Sequence, residues 1–174
     1  MNPVMIKSLF DYHYWARDRV LAAAGRITPG QFTQSKGHSF DTLQGTFAHL
    51  MNSERLWLGR WQGQPEQPTL SPADFPMLDA VIMYWKPLEM RIRDFVNSVD
   101  EAALTHVIRY TNSQGTAFEH PLWQMMHQAV LHGVHHRSEA ATMLTEFGHA
   151  PEPLDLIVYY RARSEEHTSE LQSR

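Results

Sequence analysis

The sequence predicts an all-α protein, an up-down four-helix bundle, and three observations lead to that prediction. Apolar residues recur at alternating spacings of three and four along four long segments, which is the pattern of helices that bury one face. Connections of moderate length, several of them marked by Pro and Gly, separate these segments. With 174 residues, 43% of them hydrophobic, the chain can bury one core but has no room for a second domain of ordinary size.

The first two helices are predicted by apolar seams that stop at turn residues. The first seam stops at Pro29 and Gly30, and it consists of Ile6, Leu9, His13, Ala16, Val20, Ala23 and Ile27. The second has Ser39 or Asp41 as its start signal and stops at residues 63–65. It consists of Phe40, Leu43, Phe47, Leu50, Glu54, Trp57 and Trp61.

The third and fourth helices follow a Pro-rich loop. The third seam consists of Leu78, Val81, Trp85, Leu88, Ile92, Phe95 and Val99. Pro87 lies within it, removes an amide donor and crowds a carbonyl, so we expect a kink or a break there. The fourth seam ends at Gly148 and consists of Leu122, Met125, Ala129, His132, His136, Ala140, Met143 and Phe147.

Two shorter segments complete the predicted fold. Between helices three and four, Thr, Val, Ile and Tyr residues surround Asn112–Gly115, which indicates either a long crossover loop or a small hairpin. After Pro153, residues 154–160 are predicted to close the bundle as a short helix or an extended segment.

The composition excludes several classes of protein. The chain has no Cys, so disulfides, thiolate metal sites and a cysteine nucleophile are excluded. A formal net charge of -4 without a basic cluster argues against a nucleic-acid partner. No apolar run approaches the ~20 residues that a membrane span needs, and the first residues do not form a signal peptide. We therefore expect a cytoplasmic protein with no membrane partner.

The last residues of the sequence do not look like part of the native protein. Residues 163–173, RSEEHTSELQS, read as the in-frame translation of a widely used short-read sequencing adapter. Eleven consecutive matches are improbable by chance. We therefore expect the native domain to comprise residues 1–162 and residues 163–174 to be an artefact, the alternative being a natural disordered polar tail.

Two histidines in the fourth seam indicate a metal site. His132 and His136 are four residues apart, which on a helix places them ~40° apart in direction and ~6 Å apart along the axis. Both polar rings face the predicted interior, where an unpartnered polar group costs about 1 to 3 kcal/mol and a shared ion would satisfy both. The alternative is a pair of core histidines that bond to each other or to a carboxylate.

His49 is the third candidate ligand, because it lies one residue off the apolar seam of helix two and can face helix four. Three neutral imidazoles without Cys suit a borderline divalent ion, with Zn or Ni favoured. Three protein ligands also leave positions open for water or substrate, as reactive sites do.

Five further residues are candidates near this site. His13 is either a core histidine held by Tyr or backbone or a group that approaches the same cavity. Glu54 either orients an imidazole as a buried carboxylate or pairs with an arginine at the rim. His135 can hydrogen-bond Glu139 one turn on, and Arg137 can reach an anionic substrate group or an acidic neighbour.

Three stretches together resemble the DinB family, also called DinB/YfiT-like metalloenzymes. They are YHYWAR at residues 12–17, TFAHL at 46–50 with ERLW at 54–57, and HGVHHR at 132–137. The likeness covers residues 1–162 and implies a four-helix bundle, often dimeric, whose metal is held by His49, His132 and His136. The family often has Asn at the position of His13, so His13 is a candidate for a fourth nitrogen near the ion. Ser138–Glu139 replace a common Gly-Gln.

The resemblance also implies a range of activities. The family is similar to transferases and isomerases that use low-molecular-weight thiols, and many of its members have no assigned reaction. A metal held by three histidines can generate a thiolate from a thiol in solution, so no cysteine is needed. We therefore expect a thiol transferase that acts on a small-molecule substrate, with a metal-dependent hydrolase or a non-catalytic, metal-binding stress-response bundle as alternatives.

Overall fold

A computed structural model of the protein describes residues 2–64, 68–112 and 114–172, with side chains described through residue 165. The described part is mostly helical. Its elements, in chain order, are α1 (Pro3–Ala24), α2 (Pro29–Phe32), α3 (Leu43–Trp61), a 3-10 turn (Pro72–Asp74), α4 (Leu78–Ser98), α5 (Glu101–Thr105), β1 (Val107–Thr111), β2 (Ala117–Pro121), α6 (Leu122–Glu146) and α7 (Leu156–Gln172).

Four long helices enclose the core. Helix α1 packs against α6 and α4, and α3 packs against the same two, so that each of the four contacts two others. The predicted seams lie at these contacts: Ile6, Leu50, Ile92 and Met125 are each at most 1% exposed. Burial of these apolar faces, more than intrinsic helix propensity, holds the helices in place.

The predicted start of the second helix is wrong. Helix α3 begins at Leu43 after the N-cap Thr42, whose hydroxyl accepts a hydrogen bond from the Gly45 amide at 2.9 Å. Asp41 has a φ of 62°, in the left-handed region, where a helix cannot continue. Phe40 therefore lies in a turn before α3, although the apolar spacing had placed it on the helix.

The predicted break at Pro87 is also wrong, because α4 continues through Pro87 from Leu78 to Ser98. Pro87 is exposed, and so is Met83, whose carbonyl loses its helical donor. Water can solvate that carbonyl, while Trp85 and Leu88 keep the opposite face buried.

The structure decides between the alternatives that the sequence leaves open for the two shorter segments. Strands β1 and β2 form an antiparallel hairpin in which Arg109 pairs with Glu119, so the crossover is not a plain loop. The closing segment is the helix α7, whose Tyr159 is 4% exposed and packs against Tyr12 and Ala16 of α1. Within the described ranges, no helix has both the length and the apolar character needed to cross a membrane.

A buried polar network joins all four long helices. At its centre is Glu54 of α3, 6% exposed, whose carboxylate contacts His13 of α1 at 2.8 Å and accepts from Trp85 of α4 at 2.9 Å and from Tyr14 at 3.2 Å. Arg137 of α6 completes it, with Nη1 2.8 Å from His13 Nδ1. Since the guanidinium can only donate, His13 Nδ1 accepts and His13 Nε2 donates to Glu54.

Electrostatics in this network favour a charged Glu54 and a neutral His13. Burial alone raises the pKa of the Glu54 carboxyl, but the hydrogen bonds from His13 and Trp85 and the charge of Arg17 outweigh it, so the pKa lies below its usual value. Burial and then the Arg137 charge lower the pKa of His13, against the opposing effect of Glu54. The network therefore surrounds the charge of Glu54 with donors inside the core, as a buried carboxylate requires.

Truncation after Ala162 is expected to leave the thermal unfolding midpoint unchanged. Helix α7 extends into residues 163–174, and their assignment as an artefact stays a prediction. Arg163 contacts Asp11 at 3.7 Å, but both side chains are largely exposed, and such pairs contribute at most about 1 kcal/mol. Tyr159→Ala is the contrasting variant, because removing a buried aromatic ring costs about 3 kcal/mol. A truncated protein that unfolds as early as Tyr159→Ala would contradict the prediction.

Candidate metal centre

Three imidazoles from two helices converge at one end of the core. His49 comes from α3, and His132 and His136 come from α6, one turn apart. One ring nitrogen of each lies within 4.8 Å of those of the other two, and the Nε2 atoms of His49 and His132 are 3.1 Å apart. Two nitrogens bound to one tetrahedral zinc at the usual bond length are about 3.3 Å apart, so this separation is close to that of a ligand pair.

Hydrogen bonds at the other ring nitrogens orient two of these rings. Ser53 Oγ lies 3.1 Å from His132 Nδ1, and Glu139 Oε2 lies 2.7 Å from His136 Nδ1. Glu139 is itself held, because Ser39 donates to its Oε1 at 2.5 Å. Each contact leaves Nε2 of the ring directed at the shared point, as the outer partners of metal-binding histidines do.

Phe40 covers one side of the three imidazoles. Its ring stacks on His49 at 3.8 Å between centroids and meets the edge of His136 at 5.2 Å. The turn that precedes α3 therefore supplies both Phe40 and Ser39 to the site. Sequence spacing could not identify this role, because it placed Phe40 on the buried seam of the helix.

The site holds His49 and His132 neutral. Burial, followed by repulsion from His136 and His132, lowers the pKa of His49 to about 4. Burial, followed by repulsion from His136 and His135, lowers the pKa of His132 to about 4 as well. At neutral pH these rings therefore carry free lone pairs, and a divalent cation does not have to displace a proton from either ring. Donor type, spacing and protonation state all fit a borderline divalent ion.

His13 and Arg137 lie beside this cluster but do not join it. Among the described residues, neither group of three possible metal ligands includes His13, whose two nitrogens contact Glu54 and Arg137. The expectation that Tyr or backbone holds His13 is therefore wrong. Arg137 was expected at a substrate or an acidic neighbour, but it is 3% exposed and directed at His13. Glu54 orients an imidazole, as predicted, but that imidazole is His13.

Gly133 makes the close approach of α1 and α6 possible. A Cβ atom at this position would lie 2.3 Å from His13 Cε1 and 2.7 Å from Arg137 Nη1. Any side chain would therefore displace the buried network. This contact explains the glycine that follows His132 in the HGVHHR stretch, a position for which the sequence alone indicates no role.

His135 and Glu139 define a second, poorer group of possible ligands with His136. His135 is exposed, and its Nε2 lies 3.8 Å from Glu139 Oε1. The Nδ1 atom of His136 already contacts Glu139 at 2.7 Å. Glu139 is thus better described as the residue that orients His136 than as a metal ligand.

A cavity of about 410 Å³ adjoins the imidazoles of His49 and His132. Its wall continues along α3 through Ser53 and Trp57, and Gln128 contributes from α6. This volume lies within the range of small-molecule sites in proteins. Two of the three imidazoles therefore border a space in which a small substrate can approach an ion.

Comparison with known proteins identifies the family of this chain. A model of the DinB family matches residues 1–169, which is nearly the whole chain. The matched range contains all three converging histidines and the residues that orient them, Ser39, Ser53 and Glu139. No curated protein matches the chain.

Removing any one of the three imidazoles is expected to abolish stable zinc binding. His49→Ala, His132→Ala and His136→Ala should each lose zinc on dialysis, while the parent and His127→Ala retain about one ion per chain, because three ligands define the site. Ser53→Ala should keep the ligands but weaken affinity about 10- to 100-fold. Metal analysis and circular dichroism on the same samples test this, and a His49→Ala protein with full zinc would contradict it.

Gly133→Ala is expected to destabilise the protein, whereas Gly59→Ala should not. At Gly133 the added methyl group overlaps His13, and such overpacking costs about 1 to 3 kcal/mol. At Gly59, also inside a helix, a Cβ atom meets nothing within 4 Å, so Ala should add about 0.5 to 1 kcal/mol of stability. Urea unfolding measures the stability of both variants. An equal gain in stability for the two would show that the helices do not approach closely at Gly133.

Proposed function

Because this chain belongs to the DinB family and directs three imidazoles at one point, we propose that it binds a divalent metal and transfers a small thiol to an electrophile. His49, His132 and His136 are the proposed ligands, and Zn or Ni is the proposed ion. The proposal includes an up-down four-helix bundle as the architecture, and a homodimer as the assembly.

The observation that carries this proposal is the position of the ligand set beside a cavity. Three protein ligands leave coordination positions free, and the 410 Å³ cavity reaches His49 and His132 from one side. Phe40 packs over His49 and His136 elsewhere and limits the access of water there. A small molecule in the cavity would therefore lie directly beside His49 and His132.

The chain supplies no thiol of its own, because it has no Cys. A divalent ion at this site would lower the pKa of a thiol from solution and so provide a thiolate near neutral pH. The protein's part is to hold the imidazole rings in orientation. Ser53 and Glu139 do so from behind, and the polar side chains of Asn52 and Gln128 offer hydrogen bonds to a bound molecule.

Two structural observations favour transfer over the alternatives. Hydrolysis of an amide needs a group that returns a proton to the leaving nitrogen, yet Glu54 is buried in the network and Glu139 is occupied by Ser39 and His136. A purely structural ion would hold helices together, but the network around Glu54 already joins all four long helices. The metal is therefore better placed to react than to stabilise.

Thiol transfer can be tested with 2-mercaptoethanol and 1-chloro-2,4-dinitrobenzene. The sulfur attacks the ring carbon, chloride leaves, and the thiol proton passes to the buffer, giving a coloured thioether. Zinc- or nickel-loaded parent should accelerate this reaction, and His132→Ala should be slower by more than about tenfold. His127→Ala should match the parent.

The same protein distinguishes the alternatives. Turnover of p-nitrophenyl acetate in the absence of thiol, with no acceleration of thioether formation, would favour the hydrolase. No turnover of either substrate, together with unfolding on metal removal, would favour a structural ion. Either result would overturn the proposed transfer.

A further inference from the structure

We propose that the cavity beside the imidazoles selects small molecules with an anionic group such as a carboxylate, and that Arg55 is the residue that binds this group. The proposal rests on the proposed function, because it takes the imidazole end of the cavity as the end where the thiol reacts. It adds the chemical class of the substrate and a residue that determines specificity.

The charge of the cavity wall is the first observation. Among the described residues that line it, Arg55 and Arg60 are cations and none is Asp or Glu. The whole chain has the opposite balance, with 15 Lys and Arg against 19 Asp and Glu. A cleft with charges of one sign attracts ligands of the other sign, and a divalent ion at the histidines would increase this attraction.

The contacts of Arg55 are the second observation. Its Nη2 donates to Asn52 Oδ1 at 3.3 Å and to the Pro68 carbonyl, which are both neutral acceptors. Other arginines of the described part are matched with carboxylates: Arg17 with Glu89, and Arg93 with Glu89 and Asp11. Within the described residues no carboxylate pairs with Arg55, and the donors on Nε and Nη1 are left for a ligand.

The surroundings of Arg55 hold it in place. Asn52 bonds both the amide and the carbonyl of Leu70, at 2.8 Å and 2.9 Å, and so fixes the loop segment that also receives the Arg55 bond at Pro68. A guanidinium restrained in this way loses little conformational entropy when it binds an anion. Arg60 lies further along the wall, over the rings of Trp57 and Tyr110.

The distance between the imidazole end of the cavity and Arg55 sets the length of the ligand. His49 and Arg55 are six residues apart on α3, which is about 9 Å along the helix axis and roughly the length of a six- to seven-carbon chain. Leu56 and Trp57 add apolar surface to the cavity wall. A molecule with a reactive sulfur at one end, a short apolar middle and a carboxylate at the other end would match the cavity along its length.

The test compares 6-mercaptohexanoate with 6-mercapto-1-hexanol, which have the same length and differ at the end that Arg55 would contact. In calorimetric titration of the zinc-loaded parent, the carboxylate compound should bind about tenfold more tightly. Arg55→Gln should abolish this preference. Arg55→Lys should keep part of it, and Arg91→Gln, on the exposed face of α4, should keep all of it.

Hexanoate, which has no sulfur, separates this proposal from the proposed function. If hexanoate binds the parent as tightly as 6-mercaptohexanoate and loses affinity in Arg55→Gln, Arg55 binds the anion but the thiol role fails. If both thiols bind equally to the parent, or if Arg55→Gln keeps the preference, the anion proposal fails and the thiol role stands.

Added salt gives an independent measurement in case Arg55→Gln disturbs the loop at Pro68. Screening should weaken binding of 6-mercaptohexanoate to the parent and leave 6-mercapto-1-hexanol unchanged. Equal salt dependence of the two compounds would overturn the proposal without any variant.

Discussion

The buried carboxylate of Glu54 is the constraint on which the rest of the structure depends. An ionised carboxylate in a core is tolerated only when donors surround it, and here the donors come from helices on either side. His13 and Tyr14 reach it from α1, Trp85 from α4, and Arg137 extends the network to α6 through His13. Displacing any of the four long helices would leave a buried polar group without its partner.

This network is linked in sequence to the candidate metal ligands. Arg137 directly follows His136, and Glu54 lies five residues after His49 on the same helix. Fixing Glu54 and Arg137 relative to His13 therefore also fixes the register of α3 against α6. The imidazoles converge within 4.8 Å because the polar core holds their helices at that register. Such a site needs little rearrangement to bind an ion, which favours affinity.

Much of the helical architecture and the three converging histidines could be predicted from the sequence. Periodicity predicts a helix locally, and the burial of Leu50, Ile92 and Met125 agrees with it. His132 and His136 share a helix face by spacing alone, and His49 could be selected because the neighbouring apolar seam showed which way it faces. The sequence could not decide between a hairpin and a loop before α6, because both follow from the same turn residues.

The remaining features depend on contacts between residues far apart in the chain. Ser39 meets Glu139 across 100 positions, and Ser53 meets His132 across 79, and a single sequence carries no signal for either. The predicted break at Pro87 does not occur, because the effect of a proline depends on its exposure. The predicted helix start at Ser39 or Asp41 is wrong because the left-handed turn at Asp41 delays the start of α3 to Leu43. The roles of Arg137 and Gly133 likewise appear only when α1 lies against α6.

The charged groups near the site have two different roles. The carboxylates nearest the site, Glu54 and Glu139, orient imidazoles, while the cation Arg55 borders the cavity.

The most direct test of the metal centre is anomalous diffraction from zinc-loaded crystals. We expect one ion about 2.1 Å from a single nitrogen of each of His49, His132 and His136. An ion bound instead by His135, His136 and Glu139, or one that includes His13, would contradict the proposed centre.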